Sequence, residues 1–286
     1  MATPVVAILN MKGGVGKTTL SAHMNRVLFE AKRISILLID LDPQYNLSQQ
    51  LIKQSQYDKM SSAGKTALAL FEPTPASDFF DVNTSKNDPP DPADVSTELF
   101  YLPGTNPRKN LSLIPGTFDL TKYSFIDDNS KLKHAKDYFK KFISQAKKHY
   151  DLIIIDMNPS SSFLTFAGLS VATDIVSPVR PDKFSLLGLN LVRKLVEHPQ
   201  VDPTPNLHIV MNGVRRSATM TDTEQSIRVA DFFKDRILTN KVYLSGVLAA
   251  RSDYTGFATD RKVGNKKRIY NDLRLVGLEL CGRMGL

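Results

Sequence analysis

Short runs of aliphatic residues recur along the chain, and most are continuous rather than alternating with polar residues. A continuous run is typical of a strand buried on both faces, as in a parallel sheet covered by helices. The predicted strands are Val5–Leu9, Ile34–Ile39, Leu111–Ile114, Leu152–Ile155, Ile175–Val179, Leu207–Met211 and Val242–Leu248. Between them, apolar residues recur at helical spacing. The predicted helices are Thr18–Ala31, Leu186–Val196, Thr223–Phe233 and one whose apolar face is Leu132, Ala135, Phe139, Phe142, Ile143 and Ala146.

This alternation of strands and helices predicts an α/β fold with a doubly wound, mostly parallel sheet flanked by helices. Residues 72–110 interrupt the pattern, because they are rich in Pro, Asp, Ser and Asn. We interpret residues 1–286 as a single domain that carries a surface insertion at about 72–110.

Charge and cysteine content narrow the function classes. The formal net charge is +8 with a pI near 9.4, and residues 181–286 hold 17 basic against 11 acidic side chains. A basic surface attracts nucleic acid or anionic lipid, although a basic pI alone is also common in ordinary soluble proteins. The single cysteine, Cys281, excludes an internal disulfide framework. Neither a signal peptide nor an apolar run of about 18 residues is present, so we expect a cytoplasmic protein.

A glycine-rich octapeptide follows the first predicted strand. Residues 12–19 read Lys-Gly-Gly-Val-Gly-Lys-Thr-Thr. Such a turn between a strand and a helix can present backbone N–H groups to phosphates, because glycines leave space and tolerate unusual φ angles. Lys17 is expected to reach the β- and γ-phosphates, and the Thr18 hydroxyl to bind Mg²⁺. The motif predicts these nucleotide-binding residues: Lys12, Gly13, Gly14, Val15, Gly16, Lys17, Thr18 and Thr19.

Two further predicted strands end in aspartate. Asp40 and Asp42 follow the second strand, and Asp156 follows the strand Leu152–Ile155. The carboxyl ends of parallel strands meet at the ligand side of the sheet, so all three are expected near the glycine-rich turn. A buried carboxylate needs a partner, and Mg²⁺ or a polarised water suits it. The strand that ends in Asp156 is a Walker B pattern.

Together these segments resemble the deviant Walker A, A′ and B motifs of the ParA/MinD family of P-loop ATPases. The segments are Lys-Gly-Gly-Val-Gly-Lys-Thr-Thr, Leu-Ile-Asp-Leu-Asp-Pro-Gln and Tyr-Asp-Leu-Ile-Ile-Ile-Asp. The Asp-Pro-Gln form is most similar to the ParA partition branch. The resemblance covers nearly the whole chain except residues 72–110.

The resemblance implies a role for each matching position. Lys12 matches the signature lysine that reaches the partner's phosphates across a dimer. Asp42 matches the residue that orients the attacking water, so Asp42, Lys12 and Lys17 form the implied catalytic set. Asp40 and Asp156 match acids associated with Mg²⁺, beside Thr18. Asn212 matches an adenine contact, and the loop from Arg251 matches the other wall of the base site.

Three positions depart from the family pattern. Met11 stands where the general Walker A motif has glycine, Tyr45 follows Asp-Pro-Gln where glycine is usual, and Asn158 replaces the first proline of Asp-x-Pro-Pro. The last two are expected to alter loop geometry and hydrolysis rate. The chain starts at the first strand, which resembles the short ParA type without an amino-terminal DNA-binding extension.

The implied function is a slow ATPase with ATP and Mg²⁺ as cofactors. ATP would drive a sandwich homodimer that binds double-stranded DNA without sequence preference, which implies association with the nucleoid. A ParB-like or cargo-adaptor protein would stimulate hydrolysis and release the DNA, and thereby position a plasmid, a chromosome or another cargo. Residues 72–110 are a candidate element for recognising that partner.

Other members of this fold class remain as alternatives. A MinD-like ATPase that acts at a membrane surface needs a basic amphipathic helix at its end, whereas residues 272–286 contain only Arg274 and Arg283 as basic residues and are typical of a docked helix. An electron-transfer ATPase like the nitrogenase iron protein needs two cysteines per chain. A biosynthetic ligase usually lacks the Gly-Gly-Val run.

The basic residues of the last third are candidates for phosphate contacts with DNA. The densest cluster lies between residues 261 and 268. The predicted DNA-binding residues are Arg193, Lys194, Arg215, Arg216, Arg228, Lys262, Lys266, Lys267 and Arg268.

Overall fold

A computed structural model describes residues 2–158, 160, 162–182, 184–216, 220–248, 254–262, 264 and 266–286. Its centre is an eight-stranded sheet with the order β3-β4-β2-β5-β1-β6-β7-β8. The strands are β1 Val5–Ile8, β2 Ile36–Asp40, β3 Thr97–Leu102, β4 Lys109–Ile114, β5 Leu152–Asp156, β6 Asp174–Val179, β7 Asn206–Val214 and β8 Val242–Tyr243.

Helices cover both faces of the sheet. They are α1 Lys17–Thr19, α2 Asn25–Lys32, α3 Asn46–Leu51, α4 Gln54–Ser62, α5 Pro92–Val95, α6 Asn129–Ala146, α7 Phe163–Leu169, α8 Ser185–Val196, α9 Asp222–Val229 and α10 Lys266–Met284. A π-helical turn, Leu20–Met24, joins α1 to α2. Short 3₁₀ helices lie at Ala67–Leu70, Phe118–Ser124 and Ala258–Asp260.

All strand pairs except β3–β4 are parallel, which confirms the predicted fold class. The central strands are buried at every position, because helices cover both of their faces. Asp156 is in register with both Ile8 of β1 and Asp40 of β2. The glycine-rich turn and the two aspartates therefore meet at one edge of the sheet.

The segment 72–110 contains an edge strand that the sequence analysis did not predict. β3 runs antiparallel to β4, and its side chains are only half-buried or exposed. The surrounding sequence hid it, because the segment as a whole is rich in Pro, Asp, Ser and Asn and was interpreted as a surface insertion. Before it, Val82 and Val95 are buried in the core, and the buried Glu72 carboxylate pairs with Lys122 Nζ at 2.5 Å. The segment is thus anchored at several points.

The last helix, α10, packs against α2, as expected for a docked tail. Gly277 permits the close approach, since a Cβ atom at this position would lie 2.7 Å from the Leu28 side chain. The apolar face of α10 is buried along its length, at Ile269, Leu273, Val276, Leu280 and Cys281. Within the described residues, no helix is both long enough and apolar enough to cross a membrane.

Candidate functional site

The glycine-rich turn connects β1 to α1 in a conformation that only glycine tolerates. Gly14 and Gly16 have φ angles of 71° and 95°. A Cβ atom on Gly16 would lie 2.1 Å from Asn212 Nδ2, which already donates a hydrogen bond to the Val15 carbonyl at 2.6 Å. Asn212 therefore lies against the turn near the end of β7, and its assignment as an adenine contact stays a prediction.

Lys17 is buried at the first position of α1. Its ammonium donates to the backbone carbonyls of Asn10 at 3.2 Å and Lys12 at 3.3 Å. Burial lowers the pKa of Lys17, while the charges of Asp156 and Asp42 oppose that shift. The cation is thus held inside the turn, where an anionic ligand can replace the carbonyl groups.

Asp156 accepts hydrogen bonds from two hydroxyl groups of the helical segment that follows β1, in α1 and the π-helical turn after it. Thr18 Oγ1 donates at 2.9 Å and Ser21 Oγ at 2.7 Å. Burial raises the pKa of Asp156 to about 6, although both hydroxyl groups favour its charged form. Thr18 and Asp156 were predicted to act together. Ser21 was not predicted, although its spacing of three from Thr18 places both hydroxyls on one helical face.

Asp40 is fully buried and is held by α3. The backbone N–H of Ser48 donates to its carboxylate at 2.9 Å and the Ser48 hydroxyl at 2.7 Å. Burial, and secondly the charge of Asp156, raises the pKa of Asp40 to about 8. Gly116 after β4 donates its N–H to the same serine hydroxyl at 2.9 Å. Asp40 thereby ties the loop after β2 to the neighbouring strand end.

Asp42 faces the cleft and is nearly buried. Its Oδ1 accepts hydrogen bonds from Asn158 Nδ2 at 2.8 Å and from the Gln44 N–H at 2.9 Å. Asn158 is the residue that departs from the family pattern, and here it orients the carboxylate that the sequence assigned to water activation. Asp42 lies close enough to Lys17 to act on its charge.

Tyr45 adopts the left-handed conformation at the position where the family usually has glycine. Its φ and ψ angles are 39° and 40°, which a non-glycine residue rarely adopts. The ring stacks on Tyr57 with centroids 5.0 Å apart and an interplanar angle of 6°. This aromatic contact offsets part of the backbone strain.

Lys12 lies at the rim of the turn and forms an ion pair with Asp182 at 2.5 Å. Its ammonium also lies 5.7 Å from the centre of the Phe184 ring. Both contacts are at the start of α8. Gly188 of this helix packs against Asn10 and the Lys12 side chain, where a Cβ atom would approach to 2.8 Å and 3.4 Å respectively.

The glycine-rich turn, Lys17, Thr18 and Asp42 border a cleft of about 690 Å³. Arg180 and Tyr254 also line the cleft. The predicted wall from Arg251 falls partly outside the described residues, since Arg251, Ser252 and Asp253 are among those that are not described. The complete lining is Gly13, Gly14, Gly16, Lys17, Thr18, Thr19, Asp42, Asn46, Gln49, Gln50, Arg180, Tyr254 and Thr255.

The donor set fits Mg²⁺ bound together with a phosphate chain. Thr18 and Asp156 bring a hydroxyl and a carboxylate side by side, and oxygen ligands of this kind suit Mg²⁺. The raised pKa of Asp156 shows a buried carboxylate that a cation would stabilise in its charged form. Within the described part of the chain, no group of three or more His, Cys, Asp or Glu could hold a metal. The phosphates and water would therefore complete the coordination.

The predicted DNA-binding residues separate into two sets. Three arginines form ion pairs within the chain: Arg193 with Glu197, Arg216 with Asp272, and Arg228 with the buried Glu224. The others are exposed or half-exposed and have no ion pair among the described residues: Lys194, Arg215, Lys262, Lys266, Lys267 and Arg268. Four of these, Lys262, Lys266, Lys267 and Arg268, form the 262–268 basic cluster at the start of α10.

Comparisons of the sequence find relatives over most of the chain. A family model described as "AAA domain" matches residues 3–209. The chromosome-partitioning ATPase Soj of Treponema pallidum is 28% identical over 81% of this chain and 79% of its own length. The sporulation initiation inhibitor protein Soj of Bacillus subtilis is 28% identical over 82% of this chain and 81% of its own.

Solved structures share the fold. A structure of pNOB8 ParA superposes with a TM-score of 0.67 at 19% identity, covering 99% of this chain and 98% of that one. The same protein bound to nonspecific DNA gives 0.64 at 19% identity and covers 99% of both chains. Cobyrinic acid a,c-diamide synthase from Mycobacterium smegmatis, with bound ATP analogue and magnesium, gives 0.66 at 20% identity, with 99% and 97% covered. At such identities the likeness shows the fold alone.

Proposed function

Because the chain belongs to the ParA/MinD family of P-loop ATPases with a deviant Walker A motif, we propose that it is a partition ATPase whose ATP-bound dimer binds DNA and whose hydrolysis of ATP releases it. The observation that carries this proposal is the cleft in which Lys17 and Asp42 meet beside the Thr18–Asp156 pair. Two relatives that match over more than three quarters of their own length support it. One is named chromosome-partitioning ATPase Soj and the other sporulation initiation inhibitor protein Soj.

In the proposed reaction, water attacks the γ-phosphate in line with the leaving group. Lys17 is already desolvated in the turn, so it stabilises the negative charge that develops on the phosphate oxygens. Asp42, oriented by Asn158, accepts a hydrogen bond from the attacking water and aligns it. Thr18 and Asp156 would hold Mg²⁺, which would neutralise phosphate charge. The fixed donors cost little reorganisation during the reaction.

The position of Lys12 supports the proposed homodimer. Its side chain lies at the rim of the cleft rather than inside it, which suits a contact with a nucleotide bound to a second copy. An exposed apolar stripe of α8 lies beside it, formed by Phe184, Leu187 and Leu191, which are 53%, 62% and 47% exposed. We assign this stripe to the contact between protomers, because it is continuous with Lys12 through Gly188.

DNA binding is assigned to the 262–268 basic cluster, with Lys194 and Arg215 as further contacts. The cluster is exposed at the first turns of α10, where no carboxylate of the described chain neutralises it. A dimer would carry two such clusters, so that the second contact becomes intramolecular and the avidity rises. Binding to phosphates is independent of sequence and weakens with salt. The protein would then associate with the nucleoid in the cytoplasm.

A stimulating partner protein has a candidate docking region in and after the 72–110 segment. Residues 72–128 contain ten acidic and four basic side chains, although the whole chain is basic. Phe80 and Phe125 are 60% and 62% exposed and their rings meet edge to face at 5.8 Å. This acidic aromatic surface suits a basic segment with apolar anchors, which agrees with a ParB-like or cargo-adaptor protein. Replacing both phenylalanines by Ser should abolish stimulation and leave the unstimulated ATPase rate intact.

A membrane-surface function has less support. The last helix would have to offer its apolar face to lipid, but α10 buries that face against α2.

The proposal is tested by DNA binding in different nucleotide states. The Asp42→Ala variant would be mixed with ATP or ADP, and its binding to two unrelated duplexes would be followed by fluorescence anisotropy at several salt concentrations. We expect tight, sequence-independent binding with ATP and weak binding with ADP. Equal binding in both states would contradict a DNA switch, and binding to anionic vesicles only with ATP would favour the MinD-like alternative.

A further inference from the structure

The ion pair with Asp182 engages the ammonium group of Lys12, which the proposed dimer requires for a contact between protomers. Lys12 Nζ and Asp182 Oδ2 are 2.5 Å apart, and the two side chains are 27% and 38% exposed. The pair is therefore accessible to solvent and able to open. While it is closed, the ammonium of Lys12 is directed to its own chain.

Asp182 is also held by hydrogen bonds that do not involve Lys12. Its Oδ1 accepts hydrogen bonds from the Phe184 N–H at 3.0 Å and from the Ser185 hydroxyl at 3.1 Å. These bonds leave Oδ2 for the lysine and hold the pKa of Asp182 below its ordinary value, together with the Lys12 bond and against burial. The carboxylate remains charged and stationary at the beginning of α8.

The glycine-rich turn is connected to Lys12 through backbone hydrogen bonds. Lys17 Nζ donates to the Lys12 carbonyl at 3.3 Å, and the Lys12 N–H donates to Asn10 Oδ1 at 2.9 Å. A phosphate chain in the turn would compete for Lys17 and remove the bond to the Lys12 carbonyl. Nucleotide binding thus acts directly on the segment that carries Lys12.

We propose that Asp182 is a positioning residue that retains Lys12 within its own chain and so sets the threshold for ATP-dependent dimerisation. This inference rests on the proposed function, in which Lys12 contacts the nucleotide of a second copy. In the monomer, Asp182 competes with those phosphates for the ammonium. Dimerisation requires two such pairs to open, one on each protomer.

The expected effect follows from the exposure of the pair. A half-exposed ion pair changes an equilibrium by about threefold. Since two pairs open for each dimer, the factors multiply, and removing them should tighten the dimer by about tenfold.

The test replaces Asp182 by Asn in an Asp42→Ala background that blocks turnover. Asn retains an oxygen for the Phe184 N–H and the Ser185 hydroxyl but loses the charge. Sedimentation velocity at saturating ATP would give the dimer dissociation constant, which we expect to fall about tenfold. Without nucleotide, the melting temperature should fall by no more than about 3 °C, because only one exposed ion pair is lost from the folded monomer. An unchanged or weakened dimer would overturn the inference.

Two controls separate the ion pair from a general charge effect. Asp231→Asn removes another surface carboxylate, which is 3.0 Å from Lys234, and should leave dimerisation unchanged. In a Lys12→Ala background, Asp182→Asn should have no effect, because its partner is gone. An equal gain in that background would also overturn the inference. If the parent and the Asp182→Asn variant both stay monomeric with ATP, the proposed function fails as well, whereas a dimer formed by the variant alone supports the role of Asp182.

Discussion

The cleft and the 262–268 basic cluster hold their charges in opposite ways. Lys17 lines the cleft, and Asp156 and Asp40 contact the lining residues Thr18 and Asp42. All three charged groups are buried and held by hydrogen bonds with neighbouring groups. In the basic cluster, the cations are exposed or half-exposed at the start of a helix. Chemistry at a γ-phosphate needs fixed groups in a dry site, whereas contact with a DNA backbone needs only accessible charge.

The three paired arginines form a third class. Arg193, Arg216 and Arg228 were selected from sequence by charge alone, but each neutralises a carboxylate of its own chain. Arg193 and Arg216 also stack on aromatic rings, 4.3 Å from Phe232 and 4.2 Å from Tyr243 respectively. We expect them to contribute more to stability than to DNA binding, although their assignment as DNA contacts stays a prediction.

The largest expected effect is on hydrolysis. Asp42→Ala removes the carboxylate that we propose orients the attacking water, so the ATPase rate should fall by about 100-fold or more. ATP affinity should change little, because Lys17 and the glycine-rich turn remain. A coupled-enzyme assay and a nucleotide titration would measure both quantities. A variant that hydrolyses ATP at the parent rate would show that Asp42 has another role.

The next effect separates the basic cluster from the cleft. Replacing its four cations by Ala should weaken DNA binding by about tenfold or more for any sequence and flatten the dependence of the affinity on salt. The unstimulated ATPase rate should persist, because the cluster lies outside the cleft. Anisotropy titrations at several salt concentrations would measure the affinity.

A matched control uses four exposed lysines, three in α6 and one in the segment directly after it. The control replaces Lys133, Lys140, Lys141 and Lys148 by Ala. The change in net charge is the same, so an equal loss of affinity would mean that total charge rather than this surface binds DNA.

Arg228 tests the class of paired arginines. The Glu224 carboxylate is buried and receives bonds from Arg228 Nε at 2.9 Å and Lys241 Nζ at 2.7 Å. Arg228→Ala should lower the free energy of unfolding by about 2 kcal/mol, because one partner of a buried charge is lost. DNA affinity should stay within about twofold of the parent. Urea denaturation would measure the free energy of unfolding, with Arg228→Lys as the milder control. A loss of DNA affinity without a loss of stability would show that Arg228 contacts DNA.

The smallest expected effect is on the pH dependence of stability and concerns His23. This residue lies in the π-helical turn between α1 and α2. Burial, and secondly the charge of Arg261, lowers the pKa of His23 to about 3. Below pH 6.5 the unfolded chain binds a proton at this residue that the folded chain refuses, so stability is lost as the pH falls. The loss from this group between pH 6.5 and 5 should be about 1.5 kcal/mol. Denaturation of the parent and of His23→Gln at both pH values would measure it, and equal slopes would disprove it.

Most of the sheet could be predicted because its central strands are continuous apolar runs. The predicted strand Val242–Leu248 is real only at Val242–Tyr243, because β8 is short and lies at the edge. β3 also lies at the edge and escaped prediction within a segment rich in Pro, Asp, Ser and Asn, since none of its residues is fully buried. Apolar periodicity reports burial, so it fails where a strand is not buried.

The sequence by itself determined the fold class and the residues of the nucleotide motifs, since these groups follow directly after strands whose ends must meet at one edge of a parallel sheet. Only the tertiary structure decided which side chains orient them. Ser48 on Asp40, Asn158 on Asp42 and Asp182 on Lys12 are joined across 8, 116 and 170 positions of the chain. Such contacts leave no local periodicity or spacing, because they depend on how loops and helices pack against the strand ends.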